Sequence, residues 1–331
     1  MYESFYKLRE NPFNVSPDPK YLYLGENHRE ALAQLLYGVR EKKGFIVITG
    51  EVGTGKTTLV HSLLGKLNGS SHTKTAFIFN PKLSAHDFIQ YILKDIGLEV
   101  NGGTKGDHLH ALQRYLLDAY QKGEGVVIII DEAQGLDPEL LEEIRLLSNF
   151  ETSKSKLVQI VLIGQPELNK TLSRFEFRQL RQRINMRFHL PPLSEKETRE
   201  YIERRLTVAG AVGSPFSKKA VKEVYRISKG IPRLINILCD NALLNGYALD
   251  QRVIDQKVVK EAADDLALLK KSSRVWFWIL LFIFVLGAGA ALIYSNGSGH
   301  LFPFFEKFLK DLQSLRETFL NELQRFMYLP R

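Results

Sequence analysis

The octapeptide GEVGTGKT, Gly50 to Thr57, constrains this 331-residue chain more than any other stretch. It follows an apolar run, Phe45 to Thr49, that reads as a buried strand, and it precedes a segment of helical spacing. The bare pattern G-x-x-x-x-G-K-[ST] arises by chance in on the order of 1 in 100 chains of this length, and the strand and helix around it lower that further. Glycines at these positions let backbone N–H groups turn inward around a polyphosphate, while the following helix offers its positive end. Gly50, Glu51, Val52, Gly53, Thr54, Gly55, Lys56, Thr57 and Thr58 are therefore candidate phosphate-binding residues. Lys56 is expected to reach the β- and γ-phosphates of ATP, and the Thr57 hydroxyl to bind Mg²⁺.

Short apolar runs continue at Ala76 to Phe79, Val126 to Ile130 and Leu157 to Ile163, with helix-period segments between them and a short fifth strand around Arg187 to Leu190. Such alternation predicts an α/β fold with a doubly wound, mostly parallel sheet. In such sheets ligands bind at the carboxyl ends of the strands. VVIIIDEAQ, Val126 to Gln134, ends one strand in two carboxylates: Asp131 is placed to position Mg²⁺, and Glu132 to orient or polarise an attacking water. VLIGQPEL, Val161 to Leu168, ends another in Gln165. That side chain either senses the water and γ-phosphate or is a turn residue before Pro166.

After Pro191 and Pro192 the strand signal vanishes, and helices are expected at Ser194 to Ala209, Ser217 to Ser228, Pro232 to Leu249 and Asp255 to Leu269. Ser194 with Glu197 has capping-box spacing, and Pro232 suits a first helical turn. The chain thus divides into a nucleotide-binding core at residues 1 to 190 and a small helical domain at 191 to 270. The lone cysteine, Cys239, excludes a disulfide framework and a multi-cysteine zinc site, and its helical spacing with Ile235, Leu238 and Leu243 places it in a core.

Val275 to Tyr294 is twenty residues without a charge, roughly 30 Å as a helix, the thickness of a hydrocarbon core. Twelve of the twenty are Leu, Ile, Val or Phe. At about −0.3 to −0.6 kcal/mol each they favour insertion by several kcal/mol, so a transmembrane helix is expected rather than a buried soluble one. Lys270, Lys271 and Arg274 precede the span, whereas no Lys or Arg follows before Lys307. The positive-inside rule then puts residues 1 to 274 in the cytoplasm. The N-terminus shows no signal-peptide pattern, which agrees. Residues 295 to 331 carry Phe305, Phe308, Leu312, Leu315 and Phe319 at alternating spacings of three and four, the mark of an amphipathic helix on a membrane surface or against a partner.

A net charge of +8 leaves nucleic acid, an anionic membrane and phosphate handling all open. Part of it is a run of arginines, Arg174, Arg178, Arg181, Arg183 and Arg187. By chemistry alone this run is a solvated or nucleic-acid-binding face or a set of phosphate-directed groups.

NPFNVSPDPKYLYLGENHREAL near the N-terminus, Gly50 to Thr57, IIIDEAQ, LLSNFET at Leu146 to Thr152, IGQPEL and LRQRI together resemble the AAA+ ATPases of the general secretion pathway protein A family (ExeA and GspA). MshM-type pilus ATPases and transposon target-selection ATPases are more distant kin. The resemblance spans roughly residues 5 to 294. It implies a P-loop AAA+ core with a helical lid, Mg²⁺-dependent ATP hydrolysis and a homo-oligomer, either a ring or a nucleotide-dependent assembly. It further implies that one arginine of the run is a finger directed at a neighbouring subunit's γ-phosphate, with Arg183 in LRQRI first and Arg181 second. GIPR, Gly230 to Arg233, is similar to a sensor-2 motif, which gives Arg233 a nucleotide contact in its own subunit. Tyr23 and His28 match a strap that packs on adenine in related proteins, or else they simply anchor the segment. Such proteins commonly carry a peptidoglycan-binding domain beyond the span, and the 37 residues present here are too few for one.

The function expected is a membrane-anchored ATPase that drives assembly or placement of a secretion, pilus or polysaccharide-export apparatus. Its place is a bacterial inner membrane, crossed once, with the ATPase domain cytoplasmic, the tail periplasmic and an envelope partner engaged through span and tail. Two other readings stand beside it: a nucleotide-dependent scaffold with incidental turnover, and a DNA-targeting regulator of the transposition type. The span argues against the second.

Overall fold

Five parallel strands form one sheet in the order β2-β3-β4-β1-β5. They are β1 Phe45–Gly50, β2 Thr73–Ile78, β3 Gly125–Ile130, β4 Val158–Gly164 and β5 Ile184–Leu190. The computed structural model describes residues 1 to 268 except 17, 69 to 71, 80, 100, 101 and 154. The expected span at 275 to 294 and the tail at 295 to 331 lie outside the described residues. Among the described residues no helix is long and apolar enough to cross a membrane.

β1, β3 and β4 are runs of β-branched residues buried on both faces, as the interior of a covered parallel sheet requires. Alternate residues face opposite layers. Phe45 and Val47 join one cluster with Ile128, Ile160, Phe88 and Ile144, whereas Ile46 and Ile48 join another with Ile129, Val161, Leu35 and Leu59. Helices Ala85–Asp95, Lys105–Gln121 and Pro138–Leu147 cover the first face, and Glu26–Arg40 and Lys56–Asn68 the second.

The edge strands differ from their expected bounds. β2 begins at Thr73 and ends at Ile78, leaving Phe79 outside the strand and 65% exposed. β5 begins three residues before Arg187, with Asn185, Arg187 and His189 on the exposed side of an alternating pattern. Both strands pair on one side only, so half their residues are polar and the continuous apolar signal is lost.

The helices after the sheet run Glu195–Val208, Lys218–Ser228, Pro232–Ala248 and Gln256–Asp265. Ser194, Ser217 and Asp255 cap the first, second and fourth, each accepting backbone N–H groups from the first turn. The fourth stops at Asp265, short of the expected Leu269. Their shared core, with Cys239 fully buried in it, also contains Tyr2, Leu8 and Phe13. The division at residue 190 therefore needs correcting at its other end, because the first residues of the chain pack with the lid. Arg205 holds them there: its guanidinium donates to the Pro12 carbonyl, and to the Asn14 carbonyl at 3.0 Å. The Arg9 N–H donates to Ala209 O at 2.8 Å. A segment this short has no periodicity of its own, so only these long-range contacts assign it.

Candidate functional site

The loop after β1 turns on two glycines. Gly53 (φ 81°) and Gly55 (φ 96°) occupy the left-handed region, which side chains disfavour, and the helix starts at Lys56 immediately after them. The loop is held from two sides. The Arg233 N–H, at the start of the lid helix Pro232–Ala248, donates to Gly53 O at 3.3 Å. His28 Nε2 lies 2.8 Å from Thr54 O. A carbonyl only accepts, so Nε2 carries the proton there. Burial pushes the His28 imidazole below its ordinary range, which keeps it neutral.

Lys56 is 6% exposed, and its amino group donates to Gly50 O at 2.8 Å and Glu51 O at 3.0 Å. Burial pulls its pKa down, against the opposing fields of Glu132, Asp131 and Glu51. Asp131, at the carboxyl end of β3, is 4% exposed. Its Oδ2 accepts from the Thr57 hydroxyl at 3.1 Å and its Oδ1 from the Glu132 N–H at 2.8 Å. Burial, with a contribution from the Glu132 charge, raises its carboxyl above the usual range against the two bonds and the Lys56 charge, which lower it. A desolvated carboxylate beside a hydroxyl is a hard-oxygen pair that a divalent cation fits. Glu132 takes a left-handed conformation (φ 52°, ψ 33°).

One cavity of about 520 Å³ gathers most of the expected residues. Val52, Gly53, Gly55, Lys56, Thr57 and Thr58 line it from the loop and helix, Glu132 and Gln165 from the ends of β3 and β4, and Arg233 from the lid. Tyr23 and His28 line it from the N-terminal segment. Gln165 Nε2 donates to Glu132 Oε2 at 3.3 Å, which joins the two strand ends. Gly50, Glu51 and Thr54 form the loop's frame, since the Thr54 hydroxyl donates to Glu51 O at 2.9 Å.

Arg183 stands elsewhere. It lines a second cavity of about 610 Å³ with Phe45, Val158 and Asn185, at the amino ends of β1, β4 and β5, and its guanidinium donates to Ser148 O at 3.2 Å and to the Ser148 hydroxyl at 3.3 Å. The length of β1, roughly 17 Å at about 3.3 Å per residue, separates that end of the sheet from the phosphate loop. An arginine side chain does not cross it. Arg181 is exposed, with a bond to Ser173 O at 3.0 Å.

Two contacts around the site have no counterpart in the sequence reading. Gln134 bonds both Glu132 and the Gln165 backbone. Glu197, expected only as a capping residue of its own helix, also accepts from the Glu26 N–H at 2.7 Å. Gly25 and Gly164 mark where these side chains pass, because a Cβ at either would collide with them, but a glycine does not name its partner.

The AAA domain family matches residues 39 to 172. General secretion pathway protein A of Aeromonas hydrophila is 41% identical over 314 residues, covering 92% of this chain. The chain spans 55% of that protein's length. Solved structures of similar fold include the Aeropyrum pernix ORC2 protein (TM-score 0.58, 18% identity, 92% of this chain and 89% of that one) and Cdc6p of Pyrobaculum aerophilum (TM-score 0.62, 16% identity, 79% and 74%). With its phosphate loop, its paired carboxylates and its helical lid, the chain belongs to the AAA+ P-loop ATPases, of the general secretion pathway protein A type.

Proposed function

We propose that this protein hydrolyses Mg²⁺-bound ATP with Glu132 acting on the water, and that it does so in a membrane-anchored homo-oligomer serving a cell-envelope export or pilus apparatus. The hydrolytic part rests on the cavity that brings Lys56, Thr57, Glu132, Gln165 and Arg233 to the carboxyl ends of β1, β3 and β4. Water attacks the γ-phosphorus, the bond to the β,γ-bridging oxygen breaks, and ADP and phosphate leave. Glu132 orients the water and takes its proton, and Gln165 shares that pocket. Lys56 exchanges its two carbonyl partners for phosphate oxygens, a gain because charge-assisted bonds are stronger than neutral ones. Thr57 and Asp131 would hold the cation, which when bound neutralises charge building on the β- and γ-oxygens. Arg233, whose backbone already touches Gly53, ties the lid to the nucleotide in its own subunit.

Arg183 lies at the amino end of its own sheet, so a finger role for it requires a neighbouring subunit's nucleotide. That makes a head-to-tail oligomer part of the reading. The membrane anchor and cytoplasmic placement rest on the uncharged stretch at 275 to 294 and the cations before it. The envelope role follows the name of the Aeromonas relative, whose length this chain covers by only about half.

Nucleotide affinity and phosphate release, measured separately, test the hydrolytic assignment. Lys56→Ala should lose tight ATP binding, whereas Glu132→Gln should bind ATP and lose at least about 100-fold in turnover. Wild-type turnover in Glu132→Gln would sink it. Nucleotide-dependent assembly surviving in that variant with full biological activity would favour the scaffold reading instead.

A further inference from the structure

Gln134 sits in the short turn Ala133–Gly135 after β3 and does not line the nucleotide cavity, although Glu132 and Gln165 on either side of it do. Its side-chain amide bridges those two residues. The amide oxygen accepts from the Gln165 backbone N–H at 2.9 Å, and the amide nitrogen donates to Glu132 Oε2. Gln165 Nε2 donates to that same oxygen at 3.3 Å. The orientation of the Gln134 amide is fixed by its partners, because a backbone N–H only donates and a carboxylate only accepts. A flipped amide would set donor against donor and acceptor against acceptor.

The fold makes room for this bridge. A Cβ on Gly164 would stand 2.8 Å from Gln134 Oε1 and 3.2 Å from its backbone nitrogen, so only glycine at the end of β4 lets the amide in. Gly164 has no positive φ, so the requirement is space and not backbone freedom. Glu132 meanwhile holds a left-handed conformation that costs a non-glycine residue about 1 kcal/mol or more. Such a conformation persists where surrounding contacts over-determine it. Here they are the Glu132 N–H bond to Asp131, the Gly135 N–H bond to the Glu132 carbonyl at 2.9 Å, and the amide clamp on the carboxylate.

We infer that Gln134 is the positioning residue of the hydrolytic carboxylate: anchored to the end of β4, it fixes the Glu132 side chain through one oxygen and leaves the other oxygen for the water. Gln134 does not line the nucleotide cavity and acts through Glu132. The inference rests on the hydrolytic role proposed above for Glu132. A carboxylate displaced by about 1 Å loses on the order of 100-fold in rate, and binding of the substrate is untouched because the clamp does not reach the phosphate loop.

The test is steady-state kinetics on the full chain, with nucleotide affinity and melting temperature measured for each variant. Gln134→Met removes both bonds at similar length. Gln134→Glu keeps an oxygen for the Gln165 N–H but replaces the donor to Glu132 with a second carboxylate. Gly164→Ala pushes the amide aside without altering Gln134 or Glu132. All three should lower kcat by about 10- to 100-fold, with KM and nucleotide affinity for ATP within about 2-fold of wild type. Because Gln134 acts through Glu132, adding Gln134→Met to Glu132→Gln should cost no further activity. Wild-type kcat in Gln134→Glu, a rise in KM at constant kcat, or a further loss in the double variant would overturn the inference. If Gln134→Met does not fold, Gln134→Glu and Gly164→Ala decide alone. Turnover retained in Glu132→Gln would instead defeat the hydrolytic reading itself, so the two failures are distinguishable.

Discussion

Replacing Glu197 should loosen two helices at once. Its Oε2 accepts from the Ser194 N–H at 2.9 Å and the Ser194 hydroxyl at 2.7 Å, closing the capping box of its own helix. Its Oε1 accepts from the Glu26 N–H at 2.7 Å, at the start of Glu26–Arg40, whose N-cap residue Gly25 has no side chain to offer. A Cβ at Gly25 would lie 2.4 Å from that oxygen, so the glycine admits a borrowed cap. One lost cap costs about 1 kcal/mol, and Glu197→Ala loses the borrowed cap together with the carboxylate half of its own helix's capping box, about 2 kcal/mol in all. At about 2 to 4 °C per kcal/mol for a unit of this size, its melting temperature should fall by about 4 to 8 °C. Glutamine has one acceptor and one donor in place of two acceptors, so Glu197→Gln must set its NH₂ against one group of donors and should fall by about half as much. Burial pushes the Glu197 carboxyl up, but the bonds from Ser194 and Glu26 outweigh it and hold the group below its ordinary value of 4.5. A carboxyl depressed in the folded state stabilises fully above its unfolded pKa and ceases to as pH falls through the folded one. The gap between wild type and Glu197→Gln should thus be constant above about pH 4.5 and close below it. Thermal denaturation followed by circular dichroism from pH 7.5 downward measures both effects. Equal melting of wild type and Glu197→Ala, or a gap that widens on acidification, would refute the shared cap.

Three further outcomes are expected. Asp131→Asn should melt higher than wild type in nucleotide-free buffer, because it removes a carboxylate whose charge burial disfavours, while its Mg²⁺-dependent phosphate release falls to background; an unchanged or lower melting temperature contradicts the electrostatic reading. Mixing Arg183→Ala with Lys56→Ala subunits should restore part of the ATPase activity that each lacks alone, with Arg181→Ala as control, and no rescue at any ratio in intact oligomers would remove the trans finger. In a Cys239→Ser background, a cysteine at position 298 should react with a membrane-impermeant maleimide added to intact cells with a permeabilised outer barrier, and one at 272 should not; the reverse pattern would invert the proposed orientation.

The phosphate loop and the buried strands were legible because their signals are local. Five consecutive apolar residues ending in Asp131 need no partner to be recognised, and the glycines of GEVGTGKT carry their own backbone requirement. The edge strands were misjudged by a few residues because one-sided pairing replaces the apolar run with alternation, as at Asn185, Arg187 and His189. What escaped entirely are contacts between distant residues: Arg205 with Pro12, Glu197 with Glu26, His28 with Thr54 and Gln134 with Gln165. Each joins a side chain to a backbone atom 26 to 193 positions away, and no period or spacing encodes such a pair. Arg183 is intermediate. Residue type and motif picked it out, but only the strand order shows that it stands at the opposite end of the sheet from its own phosphate loop.

Lys56 and Asp131 are both satisfied by neutral partners, and this bears on how nucleotide would act on the fold. Lys56 rests on two carbonyls and Asp131 on a hydroxyl and an N–H, and burial disfavours the charged form of both. Phosphate oxygens and a divalent cation replace those neutral partners with opposite charges in a desolvated setting, where such exchanges are worth most. The energy is released at the loop, and the loop is where the lid is attached. Gly53 accepts the Arg233 N–H, and a Cβ on Gly53 would stand 2.7 Å from the Arg233 Cβ, so lid and loop are in direct contact at a residue with no side chain to cushion movement. Thr54, the next residue, is held by His28, on the helix that Glu197 caps from the lid. A shift of the loop on that exchange would reach the lid through Arg233 directly and through His28 and Glu197 indirectly. Two routes of direct contact thus join the phosphate loop to the helical domain.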